Sequence, residues 1–130
     1  MNGSIDRNSP AWTTNLLDSY IATINAFSKY DNILAYNIGN EVVTSPNQTA
    51  AAPFIKAAAR DTKAYLSVLT PCSRRSNITD ASLYLSTSQK SNALVGYAAI
   101  DGDASWIVPL ANYLSCGSAN TAIDIYGLND

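Results

Sequence analysis

The chain contains no histidine and only one glutamate, Glu41, among its 130 residues. The absence of histidine removes the commonest general base and the commonest zinc ligand, so any catalysis must use carboxylates, tyrosines, hydroxyls or a thiol. The formal net charge is −2. No basic face is concentrated enough to follow a phosphate backbone, which argues against nucleic acid as a partner.

Long apolar stretches are also missing. Nothing approaches the roughly 18 apolar residues of a membrane span, and the N-terminus shows no apolar signal region, so this chain carries no targeting information. Cys72 and Cys116 are far apart and lack metal-type spacing, which leaves a disulfide, two free thiols or bridges to other segments open. Glycosylation sequons begin at Asn2, Asn47 and Asn77 and favour a secreted protein.

What the sequence does contain is a regular alternation of helical and strand patterns. Apolar residues at helical spacing predict three helices, at residues 10–29, 50–69 and 104–114. Ser9 is expected to cap the first helix and Asp103 the third. Short apolar runs predict three buried strands, at residues 33–38, 94–99 and 122–128.

Such alternation implies parallel strands joined by right-handed crossovers. Three strands cannot close a barrel, and a complete barrel of eight strand–helix units needs about 250 residues. We therefore expect an α/β fold, a fragment of a (β/α)8 TIM barrel with three parallel strands and three helices. Residues 1–130 would form one partial catalytic barrel.

Residues 71–91 do not fit this alternation. They are rich in serine and threonine, and they separate a helix from a strand that should follow within a few residues. We interpret them as an inserted, disordered loop, which could be translated intron. A short extra helix at residues 81–85 is the alternative.

The strongest candidate for chemistry is Glu41, because the first predicted strand ends in Gly39-Asn40-Glu41. Parallel α/β folds keep their active sites at the carboxyl ends of their strands. In sugar hydrolases, a glutamate placed there protonates the leaving glycosidic oxygen and later deprotonates the incoming nucleophile. A retaining mechanism needs a second carboxylate about 5 Å away. A solvated loop residue is the alternative for Glu41.

Longer stretches of the sequence indicate a particular protein family. Among them are Ser-Ile-Asp-Arg-Asn-Ser-Pro at 4–10, Tyr-Asn-Ile-Gly-Asn-Glu-Val at 36–42 and Asp-Ile-Tyr-Gly-Leu-Asn at 124–129. In that order, these stretches resemble the fungal β-1,3-glucanosyltransferases of glycoside hydrolase family 72. The matching segments are residues 4–12, 30–42, 54–65, 95–97, 113–117 and 124–129, which leaves out only about 71–91.

The resemblance implies a (β/α)8 barrel in a secreted protein held at the plasma membrane by a lipid anchor. It implies an enzyme that remodels cell-wall glucan without a metal or other cofactor. Such an enzyme cleaves a β-1,3-glucan chain internally and transfers the new reducing end to the non-reducing end of another chain. The expected partner is therefore a β-1,3-glucan oligosaccharide or polysaccharide.

Residue roles follow from the same resemblance. Glu41 matches the family's acid/base, Asn40 its sugar-contacting asparagine, and Asp101 a substrate-contacting aspartate. Trp106 stands where the family usually has a substrate-contacting arginine. A substrate-binding loop is expected to contain Asn2, Gly3, Ser4, Ile5, Asp6 and Arg7.

The resemblance also implies what these 130 residues do not include. The strand with the family's nucleophile glutamate, and the cysteine that pairs with Cys116, would both lie beyond residue 130; Cys72 has no family counterpart. We therefore expect the chain alone to be inactive and its open barrel edges to favour self-association. The alternatives are a non-catalytic glucan-binding remnant and an unstable truncated gene product.

Overall fold

The computed structural model describes residues 3–68 and 93–129. The predicted insertion at 71–91, the alternative helix at 81–85 and Cys72 lie outside the described residues. No helix in the described part is long and apolar enough to cross a membrane. The elements are α1 (Thr14–Phe27), β1 (Ala35–Asn40), a short 3-10 helix (Pro46–Ala51), α2 (Ala52–Val68), β2 (Leu94–Ile100), α3 (Ala104–Ser115) and β3 (Ile125–Asn129).

The three strands form one parallel sheet in the order β1-β2-β3. Tyr36 pairs with Val95 across the first strand pair, and Gly96 pairs with Ile125 across the second. Because the three strands are parallel, their carboxyl ends lie at one edge of the sheet. The predicted set of three parallel strands and three helices is confirmed.

The hydrophobic core lies between this sheet and the helices. Tyr20 and Ile24 of α1 are fully buried, as is Leu114 of α3. In α2, the larger apolar residues and Ala58 recur at helical spacing, which predicts one buried face formed by Phe54, Ile55, Ala58, Tyr65 and Leu66. Three of these, Ile55, Ala58 and Leu66, are buried, and the two aromatic residues are partly buried against the core. The 3.6-residue period thus identified the buried face of α2 correctly.

The first helix begins later than predicted. Its N-cap is Thr13, whose side chain accepts a hydrogen bond from Leu16 N, and not Ser9. The indole of Trp12 donates to the Asp61 carboxylate at 2.8 Å. This contact with α2 fixes the chain just before Thr13, so residues 10–12 remain outside the helix. The predicted cap of α3 is confirmed, because the Asp103 side chain accepts from Ser105 N at 2.8 Å.

The polar stretch at residues 44–49 has the composition of a loop, but most of it belongs to the 3-10 helix that leads directly into α2. Proline suits the first turn of a helix because its missing N–H needs no partner there. Pro46 occupies that position. Thr44 N also donates to Gln48 Oε1 at 2.8 Å, which closes the turn at its start.

The third strand is shorter than predicted and begins at Ile125. The residue before it, Asp124, accepts hydrogen bonds from Val95 N at 2.9 Å and Lys63 Nζ at 2.6 Å. From the sequence, Asp124 could either point into the barrel or hold a loop. The structure shows the second arrangement, in which Asp124 ties the start of β3 to β2 and α2.

Candidate active site

Polar residues at the ends of all three strands lie at the carboxyl edge of the sheet. Asn40 and Glu41 come from the end of β1, Asp101 follows β2, and Asn129 ends β3. Asn129 Nδ2 donates to Asn40 Oδ1 at 2.8 Å and to Glu41 Oε1 at 3.0 Å. Asp101 N donates to Asn129 O at 3.1 Å. The tertiary structure therefore links the side chains of Asn40 and Glu41 through Asn129, and it joins Asp101 to the same strand end through its main chain.

The end of β1 contains a bulge next to Glu41, and Glu41 itself has an unusual backbone conformation. Asn37 pairs with Gly96, but the next paired residue on β1 is Asn40, opposite Ala98, so β1 carries one extra residue as a bulge. Glu41 has φ +50° and is the one non-glycine residue with positive φ in the described ranges. This conformation costs roughly 1–2 kcal/mol for a residue with a Cβ. Such strain persists only where surrounding contacts impose it.

Contacts on both sides of Glu41 impose this conformation. Glu41 N donates to Ala98 O at 2.8 Å, which fixes the peptide before its Cα. Arg7 Nη2 donates to Glu41 O at 2.8 Å, and Arg7 Nη1 donates to Thr44 Oγ1 at 3.0 Å. The guanidinium thus bridges the two ends of the turn that presents Glu41. Arg7, expected to bind substrate, is placed as a support of the Glu41 backbone.

Tyr97 of β2 also contacts the turn that presents Glu41. Its hydroxyl accepts a hydrogen bond from Val43 N at 3.1 Å, and its side chain is fully buried. The ring lies so close to Gly39 that a Cβ there would be 2.9 Å from Tyr97 Cε2. A tyrosine phenol is neutral at pH 7, and burial raises the pKa of Tyr97 further above its ordinary value of 10.0. Tyr97 therefore serves as a neutral hydrogen-bond partner of the loop.

The residues of the expected substrate-binding loop differ in their exposure to solvent. Asn2 lies outside the described residues, and the residues Gly3, Ser4 and Asp6 are exposed. Ile5 is only 2% exposed and belongs to the hydrophobic core, so its side chain is not available to a ligand. The segment is thus anchored through Ile5 and leaves its polar neighbours at the surface.

Two features of the site were missed in the sequence. Asn129 was given no role, although it ends the third strand as Asn40 ends the first. The bulge was also missed, and its available signal was Gly39, because an isolated glycine in a strand pattern often marks a bulge. Within the described residues there is no group of three or more His, Cys, Asp or Glu side chains that could hold a metal ion.

Comparison with protein families identifies the chain. A family model described as glucanosyltransferase, of glycoside hydrolase family 72, matches residues 1–72, which is more than half of the 130 residues. This chain belongs to the glucanosyltransferase family. The family suggested by the ordered sequence motifs is thereby confirmed.

Relatives of this chain include proteins of Candida and Saccharomyces species. Protein EPD1 of Candida maltosa is 36% identical over 126 residues, which cover 97% of this chain and 19% of that protein. The 1,3-beta-glucanosyltransferase GAS2 of Saccharomyces cerevisiae is 35% identical over 126 residues, with the same two coverages of 97% and 19%. This chain therefore spans about a fifth of the length of these relatives.

Solved glucanosyltransferase structures share the fold. Gas2p of Saccharomyces cerevisiae without ligand superposes with a TM-score of 0.75 at 35% identity, covering 99% of this chain and 23% of that chain. The complex of Gas2p with laminaripentaose gives a TM-score of 0.74 at 35% identity, covering 98% and 24%. The three parallel strands and three helices are thus a fragment of a TIM barrel, as predicted.

Proposed function

We propose that this chain is the acid/base-bearing part of the catalytic barrel of a fungal 1,3-β-glucanosyltransferase, with residues 71–91 as an insertion in that barrel. The enzyme would cleave β-1,3-glucan and elongate another glucan chain. The observation that carries the proposal is the placement of Glu41, the chain's only glutamate, on a bulged and strained strand end. Strained backbone of this kind clusters at functional sites.

The roles follow from the geometry of a retaining reaction. Glu41 would protonate the leaving glycosidic oxygen and later take a proton from the acceptor hydroxyl, while Asn40 would contact the 2-hydroxyl of the sugar. The nucleophile must be a second carboxylate about 5 Å from the acid/base. Among the described residues, the side chain that reaches the Glu41 carboxylate is the amide of Asn129. We therefore expect no transfer by the 130-residue polypeptide alone.

The proposed ligand class, β-1,3-glucan, is inferred from solved relatives and from the residues at the carboxyl edge of the sheet. Gas2p has been solved with laminaritriose and laminaritetraose, and with laminaripentaose. By analogy, β-1,3-glucan would run across the edge formed by Asn40, Glu41 and the exposed Asp101. Gly3, Ser4 and Asp6 would border it.

The remaining features of the proposal concern the cell surface. We place the protein outside the cell, held by a lipid anchor as the family resemblance implies. Asn47, in a glycosylation sequon, is exposed on the 3-10 helix and would be accessible to a glycan. Cys116 is an exposed thiol, free within the described residues, and would form the family's disulfide with a cysteine outside this chain. Its Sγ lies 3.2 Å from Lys56 Nζ.

Glu41→Gln tests the catalytic role of Glu41. The test uses a longer protein in which the barrel around this chain is complete. We expect transfer onto a reduced laminari-oligosaccharide to fall 100-fold or more, because removing a proton donor usually costs about that factor. Products would be separated by mass spectrometry, and laminaripentaose binding would be measured by calorimetry. The matched control is Asp18→Asn, which removes an exposed carboxylate on α1.

Retained transfer by Glu41→Gln would remove Glu41 from the mechanism. Binding of laminaripentaose without any transfer by the wild-type protein would instead support the glucan-binding remnant. Circular dichroism and a thermal melt of the 130-residue polypeptide would show whether it folds cooperatively. Size-exclusion chromatography would test the expected self-association through the β1 and β3 edges, which end the described sheet on either side.

A further inference from the structure

Asn129 lies at the point where the two residues of the proposed mechanism meet. Its single side-chain nitrogen donates at 2.8 Å to Asn40 Oδ1 and at 3.0 Å to Glu41 Oε1. The NH₂ group has two hydrogens, so it can serve both acceptors at once. These contacts join residues that are 89 and 88 positions apart in the chain.

The two hydrogen bonds fix how Asn40 and Glu41 face a ligand. Because Asn40 Oδ1 accepts from Asn129, the NH₂ group of Asn40 points away from Asn129 and remains available as a donor. The carboxylate of Glu41 is held through Oε1, which leaves Oε2 as the oxygen free to carry the transferred proton. A hydrogen bond from an amide to a charged carboxylate is stronger than one between neutral groups.

We propose that Asn129 is a positioning residue that orients Asn40 and Glu41 relative to each other, an inference that rests on the proposed function. It acts through these two side chains and not on the glucan itself. The proposal assigns a task to the third strand of the fragment, whose end would otherwise contribute only main-chain pairing.

The strand pairing of Asn129 does not use its side chain. The main chain of Asn129 makes the strand contacts, since Asn129 O accepts from Asp101 N and Asn129 pairs with Ile100 in the β2–β3 register. Asn129→Asp keeps the size of the side chain but replaces the two donor hydrogens with a carboxylate oxygen. Asn129→Asp also adds a negative charge beside the Glu41 carboxylate. Asn129→Ala removes the donors without adding charge, so an effect common to both variants reports the lost hydrogen bonds.

The first test is spectroscopic and uses the 130-residue chain. Because Glu41 is the only glutamate, labelling with ¹³C-glutamate gives one side-chain carboxyl signal. We expect that signal, and the side-chain amide signals of Asn40, to shift in Asn129→Asp and Asn129→Ala. They should stay in place in the control Leu128→Ala, whose side chain is 57% exposed.

Unchanged Asn40 and Glu41 signals in both Asn129 variants, with an otherwise native amide spectrum, would overturn the proposal. A wild-type chain without a dispersed amide spectrum would overturn it for this polypeptide, because the three strand ends would then not be held together. If Asn129→Ala unfolds the chain, Asn129→Leu decides in its place, since it keeps a similar side-chain volume without donors or charge.

The second test is kinetic, in the complete-barrel protein. We expect Asn129→Asp and Asn129→Ala to lower kcat about 10-fold or more, with KM changed by less than about 3-fold, because the lost bonds orient the acid/base and do not hold the glucan. A wild-type kcat in Asn129→Asp would refute positioning. If the wild-type protein showed no transfer, the proposed function would be rejected. The spectroscopic test would then still show whether the Asn129 side chain contacts Asn40 and Glu41.

Discussion

Gly39→Ala should disturb the turn that presents Glu41 without touching its carboxylate. A Cβ on residue 39 would lie 2.9 Å from Tyr97 Cε2, 3.0 Å from Tyr97 Cδ2 and 3.1 Å from Val42 Cγ2. Both neighbours are buried, with Tyr97 at 0% and Val42 at 2% exposure. Neither can swing into solvent, so the ring or the strand must move.

The magnitude follows from two effects. Adding a methyl group to a packed core typically costs about 1–3 kcal/mol. A displaced Tyr97 ring would also lose its hydrogen bond from Val43 N, now 3.1 Å long. A buried N–H left without a partner costs about 1–3 kcal/mol more. Because the two effects overlap, we expect Gly39→Ala to lower the free energy of unfolding by about 2–4 kcal/mol.

Urea denaturation followed by circular dichroism measures this loss. Gly127→Ala is the matched control, because the nearest atom to a Cβ there is Tyr97 O at 4.0 Å. Its stability should stay within about 1 kcal/mol of wild type. Tyr97→Phe isolates the hydrogen bond from the packing. If Gly39→Ala were as stable as Gly127→Ala, the close approach of Gly39 and Tyr97 would not constrain the turn.

Three further changes test the scaffold. Burial raises the pKa of Tyr20 to about 12. The folded state therefore retains the proton that the unfolded chain loses near pH 10, and stability should fall as the pH rises from 10 towards 12. Tyr20→Phe should flatten this alkaline loss in denaturation curves but cost about 0.5–1.5 kcal/mol at pH 7, through the lost 2.6 Å bond to Ile38 O. The hydrogen bond from Arg60 lowers the pKa of Asp61. Asp61→Asn should therefore be less stable than wild type at pH 6, and the difference should close as the pH falls below the ordinary value of 3.8; a constant difference would exclude this linkage. Deletion of residues 71–91 should leave the melting temperature unchanged or slightly raised, because closing a long loop costs little entropy; a clear loss would show that the segment packs.

The sequence by itself determined the order of elements and the buried faces. Apolar spacing located three helices and three strands, and Asp103 marked the start of α3 because a cap acts on N–H groups only two residues away. Glu41 was found for the same reason, since the end of an apolar run is visible within a few residues. The family could also be recognised, because its motifs occur in contiguous stretches.

Only the tertiary structure decided how the site is held. The start of α1 depends on Trp12 reaching Asp61, 49 residues away, and the start of β3 depends on Asp124 reaching Lys63, 61 residues away. The Asn129 contact with Glu41 joins residues 88 apart, and the positive φ of Glu41 depends on Arg7, 34 residues before it. Such contacts require the strand register and the bulge to be set first. No local pattern contains that information, because the register arises only when strands distant in sequence pair within one sheet.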